Sequence, residues 1–121
     1  MPARIIDPDE GTAALDAVRR GAIDRPTTAT AVRFLLQSLA AAVPGNSVEV
    51  RVPPFGAVQA VPGPRHTRGT PPNVVEMDAG TWLALATGEL TWTEAVRQAR
   101  VSASGSRADL TEFLPVRPTE A

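Results

Sequence analysis

Apolar residues recur along this chain with two spacings, and each spacing predicts a different element. Asp7-Pro8-Asp9-Glu10 predicts a helix start, with a capping carboxylate, proline at the first helical position and acidic residues in the first turn. Ala14, Leu15, Val18 and Ala22 then form a narrow apolar stripe at helical spacing, ended near Gly21. Pro26 and Thr27 open a second predicted helix, Thr28 to about Val43. Its main apolar face is Ala29, Val32, Leu36, Leu39, Ala40 and Val43, and Phe34 projects from nearly the opposite side. Pro44-Gly45-Asn46 closes it. Val48-Glu49-Val50-Arg51-Val52 alternates strictly, as a strand with one buried face does. After a turn at Pro53–Gly56, Ala57 to Val61 reads as a second strand with small residues on both faces. Small side chains leave space beside a sheet. A closely packed helix is the simpler occupant of that space, and a ligand is the alternative. Pro62 to Asn73, PGPRHTRGTPPN, excludes regular structure and predicts a surface excursion or a flap. Val74 to Met77 resumes a strand.

The stretch from Asp78 to Pro115 is punctuated most densely. Asp78 can cap a helix through Ala79-Gly80-Thr81-Trp82-Leu83, and Gly88 supplies its left-handed end. Thr91-Trp92-Thr93-Glu94 is a capping-box sequence, with Glu94 reaching back. Val101 to Ser104 predicts a short strand, and Gly105 a turn. Ser106 with Asp109 predicts a last helix, Arg107 to Leu114, stopped by Pro115.

The order of these pieces resembles the C-terminal half of sterol carrier protein 2-like (SCP-2) domains. The matching pieces are Leu85-Ala86-Thr87-Gly88, Leu90-Thr91-Trp92-Thr93-Glu94-Ala95, Val101-Ser102-Ala103, Ser104-Gly105-Ser106 and Phe113-Leu114-Pro115. The resemblance runs from about Val74 to Val116 and is topological before that. Ala99 stands where the family often has glycine, and Ser106 where it often has aspartate, which implies a divergent bacterial (actinobacterial) branch. The resemblance implies an α+β fold in which a mainly antiparallel sheet, preceded by two helices, is covered by helices that enclose an apolar cavity. One such domain over residues 1–121 is expected.

Composition narrows the function classes. The formal net charge is −1, so strong nucleic-acid steering is not expected. There are no cysteines, which excludes disulfides, thiol catalysis and thiolate metal sites. All basic residues besides His66 are arginine, as GC-rich coding would produce. The N-terminus has no apolar signal-like region and no run approaches a membrane span, so a cytoplasmic protein without stable membrane insertion is expected.

Catalytic chemistry is sparse. The single histidine, His66, lies in the proline-rich loop without an evident orienting partner. Ser102, Ser104 and Ser106 lack a nucleophile-elbow context, and no metal, phosphate or dinucleotide motif occurs. No enzyme activity, catalytic residue, metal or cofactor is expected. The apolar bulk of the second half is the alternative signal: Trp82, Leu83, Leu85, Trp92, Val96, Leu110, Phe113 and Leu114. By themselves these residues read as core. The SCP-2 resemblance implies that they line a cavity for a sterol, fatty acyl chain or other hydrophobic small molecule. A carrier is therefore the leading expectation. The second is an interaction module with a filled core, using Phe34 and its neighbours as a homodimer or partner surface. An accessory domain to a separate enzyme is the third.

Overall fold

A computed structural model describes residues 5–63 and 73–120. The elements run α1 (Pro8–Arg19), α2 (Arg25–Ala42), β1 (Val48–Val52), β2 (Gly56–Ala60), β3 (Val74–Met77), α3 (Ala79–Thr87), α4 (Trp92–Arg97) and β4 (Val101–Ser104). This is the expected α+β architecture, with two helices ahead of the sheet. Most of the caps act as read. The Asp7 side chain accepts the Asp9 N–H, Asp78 accepts the Thr81 N–H, and the Thr91 hydroxyl accepts the Glu94 N–H. Glu94 itself turns away from Thr91 to accept from Arg97 and Gln98. Asp24, one residue before α2, caps that helix through Thr27, so α2 begins three residues earlier than the proline signal suggests.

The sheet order is β2-β1-β3-β4. The two outer pairings are antiparallel and the central β1–β3 pairing is parallel, so the sheet is mixed. Ala60 at the end of β2 lies opposite Val48, and Val74 at the start of β3 lies opposite Glu49. The chain thus leaves β2 and enters β3 at the same end of β1, and β3 runs parallel to β1. Asn73, buried at the start of β3, ties this end together: its Nδ2 donates to the Ser47 carbonyl and its Oδ1 accepts the Arg107 N–H.

One sheet face carries Val48, Val50, Val52, Val75 and Met77 into a core shared with Val32, Leu36 and Leu39 of α2 and Trp82 and Leu85 of α3. The other face carries Glu49, Arg51, Gln59 and Glu76 and is open or half-open to solvent. α1 packs on α2, and α2 packs on β2 and α3.

Two expectations are corrected. Phe34 is not a surface residue: it is 1 % exposed, covered by α1, and a Cβ at Gly11 would overlap its ring. A helix hairpin buries both faces of its longer member. The apolar pattern of α2 therefore has a second stripe for α1 as well as one for the sheet. The predicted helix Arg107–Leu114 is reduced to one 3-10 turn, Thr111–Phe113. The Ala108 and Asp109 N–H groups close tight turns on the Gly105 and Arg107 carbonyls, and Asp109 takes both the N–H and hydroxyl of Thr111. That local bond starts a new turn two residues on and competes with the helix ladder. Pro115 then leaves too few residues for a helix to propagate.

Candidate functional site

A mainly apolar concavity lies between α2 and the β1–β2 hairpin. The helix puts Thr30, Arg33 and Gln37 on the line facing it, with Leu36 beside them. Those four positions share a side because three, four and seven residues return a helix to nearly the same face. The hairpin turns at Phe55, whose N–H bonds the Val52 carbonyl, and β2 then supplies Gly56, Ala57 and Val58. Ile6 closes one end, its N–H held 2.9 Å from Gln37 Oε1. The groove has a volume of about 390 Å³. That lies inside the roughly 300–1,000 Å³ range of small-molecule pockets.

The space exists because β2 is built from small residues. A Cβ on Gly56 would reach only ordinary contact, 3.6 Å from Leu36 Cδ1 and 3.7 Å from Arg33 Cγ. The helix therefore covers β2 and still leaves a channel along it. Two cations meet at Phe55. Arg33 Nε donates to its carbonyl at 2.7 Å, and the Arg25 guanidinium sits 5.4 Å from the ring centroid. Asp24, beside Arg25 in the chain, is committed to Thr27; the Thr27 hydroxyl and then its N–H hold the carboxyl below its ordinary value.

The eight apolar residues singled out from the sequence do not line one cavity. Trp82, Leu85 and Leu110 are fully buried in the common core, and the Trp82 indole N–H donates to the Val32 carbonyl at 3.2 Å. Leu85, Trp92 and Leu114 meet at a depression of about 250 Å³, completed by Gly88, Leu90 and Pro115. Leu83 borders a separate hollow against Leu15 and Val18 of α1. Phe113 borders another with Val43, Val61, Arg107, Asp109 and Glu112. Val96 is 50 % exposed and borders none of these. His66 and most of the proline-rich loop lie outside the described residues.

The groove residues were not singled out as a site from the sequence. The signal available was the small-residue run after Phe55, together with arginine, threonine and glutamine interrupting one side of an apolar helix.

A mixed four-stranded sheet, with two helices ahead of it and helices on one face, places the molecule among SCP-2-like α+β domains. The chain belongs to the bacterial SCP ortholog family, whose model matches residues 24–116. The match begins at the cap of α2 and takes in every groove residue except Ile6. No curated protein matches the chain. No described helix is long and apolar enough to cross a membrane.

Proposed function

We propose that this chain is a non-catalytic carrier or binding domain that holds one hydrophobic small molecule in the groove between α2 and β2. The observation that carries this reading is the groove's position and lining. Ile6, Leu36, Phe55 and Val58 border an open channel of about 390 Å³, whereas the neighbouring core is filled by Trp82, Leu85 and Leu110. Family membership supports a carrier-type domain. The Leu85–Trp92–Leu114 depression, at about 250 Å³, falls below the usual size of a ligand pocket. The hollow at Phe113 is larger, about 730 Å³, but Arg107, Asp109 and Glu112 border it, so it suits an apolar guest less well than the groove.

Native mass spectrometry of protein purified without detergent tests for a retained ligand, and amide NMR shifts locate it. A lipid or hydrophobic probe should move Gly56, Ala57 and Val58. Movement confined to Gly88–Thr93 would relocate the site, and no saturable movement with several lipid classes would overturn the carrier reading. A bare, compact dimer would favour the second reading, an interaction or accessory module, which the filled core also suits.

A further inference from the structure

We propose that the groove selects an amphiphile with an anionic head, held by Arg33 with support from Arg25. This rests on the groove being the binding site.

Arg33 lines the groove and spends only Nε on the protein, donating to the Phe55 carbonyl. Among the described residues its two terminal nitrogens carry no hydrogen bond, and neither Arg33 nor Arg25 forms an ion pair. The Nε bond fixes the guanidinium plane at the rim, so its outer edge remains available to two oxygens of one head group. Arg25 is held over the ring of the same Phe55, bringing a second positive charge to that end of the groove. The nearest acidic neighbour in sequence, Asp24, is occupied by Thr27. The other lining residues are apolar or neutral. A chain laid over Leu36 and Val58 with a carboxylate, sulfate or phosphate monoester at the Arg33 end satisfies both halves. A neutral head leaves the guanidinium edge to water.

Decanoate and decanol share a chain and differ in the head, so they separate the two halves. On the wild-type protein at low ionic strength, decanoate should bind about tenfold more tightly than decanol. The difference should shrink severalfold in about 0.5 M salt. Both probes should move the Gly56–Val58 amides. Arg33→Gln should remove most of the decanoate preference. Loss of the Phe55 anchor alone would weaken both probes together, so the ratio, not either affinity, reports the head-group contact. Arg25→Gln leaves the Arg33–Phe55 bond in place and should lower the ratio by a smaller factor, which keeps the inference testable if Arg33→Gln does not fold. Equal binding of decanoate and decanol would overturn the head-group inference while leaving the groove as a site. Failure of both probes to shift Gly56–Val58 would overturn the groove reading and this inference with it.

Discussion

Two glycines show how differently the two sides of α2 are built. Gly11 of α1 lies against the Phe34 ring so closely that a single methyl group would overlap it. Gly56 of β2 faces the same helix across the groove, where a methyl group would sit at 3.6–3.7 Å from its neighbours. Both glycines put a small residue against α2. On one side a large aromatic ring fills the space; on the other nothing of that size does. The same contrast holds for aromatic rings. Trp82 is completely enclosed and hydrogen-bonded, whereas Phe55, the aromatic ring of the groove, is half-buried with a cation over its face. Space in this domain follows from which small residues lack a large partner, and bulky residues mark where space has been used up.

The sharpest way to break this contrast is to empty the closed side. Trp82→Ala removes a fully buried indole together with its bond to the Val32 carbonyl, and should cost roughly 3–5 kcal/mol in denaturant unfolding. A loss under about 1 kcal/mol would show that this region is not packed as described. Gly11→Ala forces the Phe34 ring to move, and should cost about 1–3 kcal/mol by the same measurement. If it were neutral, α1 would not be docked on Phe34.

Asp78→Ala tests the hinge between sheet and α3 and should cost about 1 kcal/mol at neutral pH. Acceptance of the Thr81 N–H, then the Thr81 hydroxyl, and to a lesser degree the charge of Arg100, hold the Asp78 carboxyl below its ordinary 3.8. A depressed carboxyl stabilises fully above its unfolded value and loses that contribution as pH falls through the folded one. The wild-type protein should therefore weaken as pH drops below about 4, and the variant should show a shallower decline. Asp24 and Asp109, depressed through Thr27 and Thr111, keep the slope from vanishing.

Ala99→Gly should act in the other direction. Ala99 ends α4 at φ 56, with its N–H on the Val96 carbonyl and the Arg100 N–H on the Ala95 carbonyl. Glycine suits that left-handed position, and the variant should gain about 1 kcal/mol. No gain in melting temperature would mean that this end relaxes out of the left-handed form. The smallest effect is expected for Gly56→Ala, within about 0.5 kcal/mol of wild type, because the added methyl meets only ordinary contacts. A loss comparable with that of Gly11→Ala would show the groove to be closed in solution.

Local chemistry was legible from the sequence to a useful depth. The Asp7, Asp78 and Thr91 caps, the Gly88 stop, the alternation of β1 and the short strands β3 and β4 all depend on residues within a few positions of one another. The SCP-2 family likeness, carried by that order, stands on the family match. Ala99 was marked as a departure from glycine, and its positive φ is the physical content of that departure. The tertiary structure decided everything that depends on distant partners. The fate of Phe34 depended on α1 lying over it, and the turn before Thr111 is tied to Asn73, 34 residues away, through the Arg107 N–H. The groove, too, exists only because Ile6, α2 and the hairpin meet around small residues. Hydrogen-bonding and capping preferences act over one turn and are written in adjacent letters. Enclosed volume is a property of surfaces brought together, and no spacing along the chain encodes it.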